Sequence, residues 1–298
     1  MNGILLVDKS AGMTSHDVVD RIRSAAGIRR VGHTGTLDPA ATGLLILCLG
    51  AATRLSEFLT GLDKVYEGTM RLGLITDSYD LDGRILEERP VPGLTAEAIQ
   101  NAFDAFTGDI MQTPPMVSAV KIGGERLYKK ARKGEVVDRP ARPVTVREFR
   151  LLGFDTPLVH FRVRCTRGTY ARSLCHEVGQ MLGCGGALSL LRRTWVGHHS
   201  VDEAAPVESF ATRDDVLRRM APLEGALQLP EVVVLPNRIN TVLSGGVLGR
   251  ADLQADCPVT EGWVQVKSPT GKLLALAQVQ NASPHPALHP KRVLCAQT

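Results

Sequence analysis

Short apolar blocks separated by glycine- and proline-marked turns dominate this chain, and helical periodicities are few. Gly3 to Val7 reads as a strand. Thr14 or Ser15 can cap a helix running to about Ala26, with Val18, Val19 and Ile22 on its apolar side. The run Leu44 to Leu49 has the look of a buried strand, and a short helix from Thr53 to about Leu59 follows. Lys64 to Leu72 alternates as a strand does, and Thr95 opens a helix to about Phe106. Val117 to Ile122 is strand-like and leads through Gly123-Gly124 into an expected basic helix, Glu125 to Arg132. Strands are expected at 144–154 and 158–165, then a helix from Tyr170 to about Leu182. Because strands and helices mix without a regular βαβ rhythm, the expectation is an α+β fold. Its catalytic domain would hold a mixed, largely antiparallel sheet with flanking helices.

A boundary falls somewhere in 205–230, a helical, linker-like stretch with Pro206, Pro222 and Pro230. Beyond it, Val232 to Val234, Trp263 to Val266 and Leu273 to Val279 read as strands of a small β-rich module. The expected division is therefore 1–228 and 229–298. A chain of 298 residues with 44% hydrophobic and 22% charged residues can bury a sizeable core and is not disordered. No apolar stretch is long enough to span a bilayer, and the start lacks the features of a signal peptide. A cytoplasmic location is expected. The six cysteines form no CxxC pair and read as buried hydrophobes or free thiols. Cys175-His176, Cys184 and His198-His199 fit no common zinc spacing, so no metal is expected.

The net charge of +4 is unevenly spread. Residues 121–150 carry ten basic side chains against four acids, whereas 77–104 carry seven acids against two arginines. A basic concentration on a nearly neutral body suits a polyanionic partner, although a solvated helix face would look the same.

The densest chemistry lies in Gly32-His33-Thr34-Gly35-Thr36-Leu37-Asp38-Pro39-Ala40-Ala41-Thr42-Gly43. It puts one carboxylate, Asp38, in a glycine-rich loop at the mouth of an apolar strand, where a rigid scaffold can aim it. Alone, an Asp-Pro turn would read the same way. As a whole the segment resembles the GHTGTLDPxATG motif of the TruB-type bacterial tRNA pseudouridine synthases. Asp8 to Ser15 is similar to that family's opening KPxGxTS motif, with Ser10 in place of proline. Lys64-Val65-Tyr66 is similar to its KxY strand, and Thr76 to Gly83 to its TDTxDxDG stretch. An EF-hand reading of those acids fails, because Arg89 stands where the twelfth-position glutamate belongs. Gln112 to Tyr128 resembles QxPPxYSAxKxxGxRxY, with Val117 at a usually aromatic position. Gly168 to Leu174 resembles GTYxRSL, and Leu191-Arg192-Arg193 resembles LRR.

The resemblance implies isomerisation of uridine to pseudouridine at position 55 of the tRNA T-loop, without a cofactor. It assigns Asp38 as nucleophile, Arg172 as its ion-pair partner and Tyr66 against the target base. His33 would fill the space of the flipped-out base, Leu191 would wall the pocket, and Lys9, Lys64 and Tyr170 would join the substrate site. Lys121, Arg126, Lys129, Lys130, Arg132, Lys133 and Arg142 would form an RNA clamp within 121–150, and 229–298 a PUA-like RNA-binding domain. The expected partner is the T-arm stem-loop of tRNA, met by a monomer needing no guide RNA, protein partner or membrane. A folding factor that binds tRNA with catalysis secondary, and a guide-dependent synthase, are the competing readings.

Overall fold

The computed structural model describes residues 1–118, 121–122, 124–127, 137–254, 259–280 and 286–294. In chain order its strands are β1 Gly3–Lys9, β2 Val31–His33, β3 Thr42–Leu49, β4 Lys64–Leu72, β5 Leu74–Thr76, β6 Ile85–Glu88, β7 Gly108–Gln112, β8 Lys121–Ile122 and β9 Glu125–Arg126. They continue as β10 Arg142–Asp155, β11 Leu158–Cys165, β12 Gly186–Val196, β13 His199–Ser200, β14 Ala205–Pro206, β15 Glu231–Val233, β16 Gly262–Lys267, β17 Leu273–Gln280 and β18 Ala287–Val293. The helices are α1 Ser15–Ala26, α2 Ser56–Gly61, α3 Ala96–Asp104, α4 Ala171–Met181, α5 Arg213–Arg219 and α6 Ile239–Leu243.

A large sheet runs in the order β14-β1-β3-β12-β4-β11-β10-β7, with β2 beside β3 and β13 beside β12. Only the β1–β14 and β3–β12 pairings in it are parallel. It is thus mixed and largely antiparallel, in an α+β arrangement as expected. Strand β3 explains how it is held. Successive side chains of a strand face opposite sides. Leu45, Leu47 and Leu49 pack with Val18, Val19 and Ile22 of α1. Leu44, Ile46 and Cys48 pack on the other face with Ile4, Leu55 and Leu59. Each fully buried leucine contributes ~2 kcal/mol relative to exposure, so β3 anchors everything attached to its ends.

Strands β15 to β18 form a separate four-stranded sheet with its own core around Val232, Val264 and Val279. This sheet is not free-standing. Leu273, Leu276 and Leu294 join the cluster of Ile4, Leu44 and Ile46, and the Trp263 ring meets Phe58 edge-on at 4.7 Å. The stretch 205–230 is likewise less of a linker than its prolines suggest, since Val207, Phe210, Val216 and Ala226 are fully buried.

Most expected elements appear within a few residues. Thr14 caps α1 in a reciprocal pair with Asp17, and Thr95 caps α3. The short helix expected from Thr53 is a 3-10 turn, Gly50–Leu55, that continues as α2. The basic helix does not begin at Glu125: Glu125–Arg126 pairs with Lys121–Ile122 around the Gly124 turn, and 128–136 lie outside the described residues. Strands β7, β12 and β18 were not legible. Among the described residues no helix is long and apolar enough to cross a membrane. Cys48 and Cys165 are buried thiols, pushed up to about 12 and about 11 by burial.

Candidate active site

The loop between β2 and β3 carries Asp38, and three buried side chains fix its backbone. Ser15, the first residue of α1, accepts the Leu37 N–H at 2.9 Å and donates to the Leu37 carbonyl at 3.1 Å. Lys9, at the end of β1, donates to the carbonyls of Ser10, Met13 and Pro39 at 2.9, 2.8 and 3.1 Å. Arg193 of β12 donates to the carbonyls of Leu44, Gly35 and Thr36 at 2.7, 3.1 and 3.5 Å. Residues on both sides of Asp38 are therefore clamped. Gly43 lets β3 and β12 come this close: its φ is +100°, and a Cβ there would lie 2.3 Å from the Arg193 carbonyl oxygen.

Arg172 enters from the first turn of α4 and is 5% exposed. Its Nη2 lies 3.0 Å from Asp38 Oδ2, and its Nη1 lies 3.3 Å from Asp80 Oδ2. The same fork donates to the Val117 carbonyl at 2.8 Å and the Ser78 carbonyl at 3.3 Å. One guanidinium thus joins three loops, which its planar set of donors allows. Asp80 reaches it through a bent segment. Tyr79 has φ +66°, unusual for a residue with a side chain, and its ring stacks on His176 of α4 at 4.0 Å. The resulting cleft is lined by Asp38, Asp80, Arg172, Leu81, Leu188 and Leu191.

Burial raises the Asp38 pKa above its usual 3.8; Arg172 and Lys9 oppose this, and the Asp80 charge adds to it. Desolvation outweighs the ion pair here, so the carboxylate is a less comfortable anion than the Arg172 contact alone would suggest. Tyr66 stands on β4 directly across from Arg193 on β12 and Val163 on β11. Burial pushes its phenol up, while the nearby Arg193 charge favours the ionised form. Leu191, two residues before Arg193 on β12, packs against the same two apolar clusters as Tyr66. His33 ends β2, and its Nδ1 lies 3.4 Å from the Gly35 N–H. Burial, with Arg193 and His16 nearby, lowers its pKa, so the ring is neutral at pH 7.

The structure brings Asp38, Arg172, Tyr66, Leu191 and His33 to one region and gives Lys9 and Lys64 other contacts. All three Lys9 contacts are backbone carbonyls, and burial lowers its pKa to about 8. Lys64 donates to the carbonyls of Thr60 and Leu62 at 2.6 Å, closing the end of α2, and burial lowers it to about 8 as well. Tyr170 precedes α4, its backbone clasped by the Gln112 side chain at 2.8 and 3.1 Å. Burial raises its phenol, within electrostatic reach of Arg172, Asp38 and Arg142. Arg142 is exposed at the start of β10. Nothing is described of the Lys121 and Arg126 side chains, and Lys129, Lys130, Arg132 and Lys133 lie outside the described residues. Ser15, Asp80 and Arg193 hold or face Asp38 and Arg172 in this geometry yet were not singled out from the sequence. Each lies inside a quoted motif, which was the signal available.

A model of the TruB family pseudouridylate synthase N-terminal domain matches residues 23–171, and one of the tRNA pseudouridylate synthase B C-terminal domain matches 172–228. The tRNA pseudouridine synthase B of Opitutus terrae is 48% identical over 225 residues, covering 75% of this chain and 93% of that protein. The protein of the same name from Thermobifida fusca is 41% identical, covering 96% of this chain and 98% of its own length. Among solved structures, an H/ACA RNP bound to a substrate RNA is similar with TM-score 0.75 and 24% identity, covering 98% of this chain and 85% of that one. A Cbf5-Nop10-Gar1 complex is similar with TM-score 0.75 and 26% identity, covering 99% and 85%.

Proposed function

The chain belongs to the TruB family of pseudouridylate synthases, and from that premise we propose that it isomerises uridine to pseudouridine in the T-loop of tRNA. The observation that carries this reading is the Arg172 fork, which joins Asp38 and Asp80 at the floor of a cleft lined also by Leu81, Leu188 and Leu191. The reaction breaks a C–N glycosidic bond and makes a C–C bond to the same ring. It therefore needs a nucleophile, charge control and a pocket that retains the detached base. Asp38 is the nucleophile, aimed by the clamped loop and by Arg172. Tyr66 lies against the uracil and handles the proton leaving C5. Leu191 keeps water from the detached ring. The target base must leave its stack, and the neutral His33 ring fills the vacated space, offsetting part of a cost of a few kcal/mol. The basic segment 121–150, with Arg142 exposed at the start of β10, grips phosphates, and residues 229–298 add contacts away from the pocket.

The test is to incubate the purified chain with unmodified tRNA transcript, without guide RNA or other protein, and to map pseudouridine. Conversion confined to the T-loop supports the reading; binding without conversion supports the folding-factor alternative. In the same assay, charge reversal at Lys129, Lys130 and Arg132 should flatten the salt dependence of binding. Each lost phosphate contact should lower the log–log slope by roughly 0.7 to 0.9. An unchanged slope removes the clamp.

The electrostatics add a pH prediction. Asp38 must be ionised to attack, and its raised pKa places the acid limb of the rate above the ordinary carboxylate range. Asp80→Asn removes a repelling charge and leaves Arg172 to Asp38. The acid limb should then move to lower pH, as read from single-turnover rates; a shift to higher pH would contradict the assignment.

A further inference from the structure

Arg193 is the largest fully buried side chain of the described residues, at 2% exposure, and none of their carboxylates lies within 4.0 Å of its guanidinium. A neutral amide could also donate to backbone carbonyls such as those of Gly35 and Thr36 without the cost of burying a charge. The guanidinium therefore calls for an explanation beyond loop anchoring. Its β-partner across the β12–β4 pairing is Tyr66, so the two side chains leave neighbouring strands side by side, and its charge favours the ionised phenol. Every other ionisable group it faces is made less comfortable or is no counter-ion: Lys9 on β1, His33 on β2 and Lys64 on β4 are all disfavoured as cations by its charge. Near the phenol the other titratable groups are Cys165 on β11 and Asp38 in the loop, and both disfavour the phenolate. Arg193 alone favours it.

We propose that Arg193 is a positioning residue for catalysis, a buried cation that holds the Tyr66 phenol as a reversible proton carrier. This rests on the reading that Tyr66 faces the reacting uracil. The proton balance of the isomerisation suits such a carrier. When the C1′–N1 bond breaks, its electron pair remains on N1 and the Asp38 carboxylate takes C1′. When the C5–C6 π pair then joins C5 to C1′, the Asp38–C1′ bond breaks with its pair returning to the carboxylate, and the C5 proton must leave. Tyr66 gives its phenolic proton to N1 and becomes a phenolate beside Arg193. It then takes the C5 proton, the C5–H electron pair restores the C5–C6 double bond, and the phenol is regenerated. No external acid or base is consumed.

The experiment compares Arg193→Gln and Arg193→Lys in single turnover on tRNA carrying uridine deuterated at C5, with folding checked by circular dichroism. Arg193→Gln should slow conversion by about 100-fold or more, with tRNA affinity within about threefold. It should also enlarge the C5-deuterium isotope effect and move the pH optimum upward. Arg193→Lys, which keeps the charge but not the fork, should recover about tenfold of the loss and return the isotope effect toward that of the unmodified chain. A folded Arg193→Gln protein with a normal rate overturns the proposal. So do Gln and Lys variants that are equally slow with an unchanged isotope effect, since that pattern belongs to loop anchoring alone. Should Arg193→Gln not fold, 3-fluorotyrosine at position 66 in the Arg193→Lys protein decides. The more acidic phenol should speed that variant, and no gain overturns the idea. The family reading fails separately, through an inactive unmodified chain or an active Asp38→Asn protein.

Discussion

Asp38→Asn should abolish pseudouridine formation, lowering the single-turnover rate by at least about 10⁴-fold, while the protein still binds tRNA within about threefold. Asparagine keeps the size of the side chain and the loop that Ser15, Lys9 and Arg193 clamp, so only the nucleophile is lost. Stability should move the other way. Burial raises the Asp38 pKa, so the folded state holds that proton more tightly than the unfolded chain does. The ionised carboxylate therefore costs stability, and the cost grows as pH rises from 3.8 through the raised value. At neutral pH the asparagine protein should melt at or above the temperature of the unmodified chain, and the difference should vanish in acid. Residual activity within tenfold, or a clearly lower melting temperature at pH 7, would contradict the site described.

Arg172→Lys should be nearly as damaging for a different reason. The guanidinium meets Asp38, Asp80, Ser78 and Val117 from one plane. A lysine has one ammonium and cannot span them, so Asp38 and Asp80 would face each other poorly compensated. Breaking a buried pair costs about 3 to 5 kcal/mol, and about 2 to 4 is expected here because Asp38 is partly open to solvent. The rate should fall by about 10² to 10³-fold. Less stabilisation of the Asp38 anion should move the acid limb to higher pH, opposite to Asp80→Asn. Thermal melts and pH–rate profiles of the two variants check both signs. A lysine protein with normal activity would remove Arg172 from the site.

Strands and helices with a single rhythm were legible: β1, β3, α1 with its Thr14 cap, β4, α3, β10 and β11 all lie where periodicity put them. Strand β12 was not. Its sequence alternates poorly because register shifts interrupt it between Leu188 and Leu190 and again between Arg193 and Trp195, and because Arg193 turns inward where a leucine would be expected. The irregularity that hid the strand is the same one that anchors the Asp38 loop. The Asp38–Arg172 pair was expected from the motifs, and it forms. Asp80 was missed because a carboxylate in an acidic stretch reads as solvated, and only the turn at Tyr79 aims it at Arg172. Lys9 and Lys64 illustrate the converse: residues of a motif can serve the backbone of a site rather than its ligand.

The apolar cluster shared by β1, β3 and the C-terminal sheet bears on how this molecule comes apart. Leu273, Leu276 and Leu294 are nearly solvent-free against Ile4, Leu44 and Ile46, so neither sheet can melt without wetting the other's leucines. Heat or urea should consequently unfold both in one cooperative transition, seen alike by Trp195 in the large sheet and Trp263 in the small one. The strand that carries the Asp38 loop would then owe part of its rigidity to residues more than two hundred positions further along the chain. A protease cut after Pro230 would loosen the pocket itself rather than release a passive appendage.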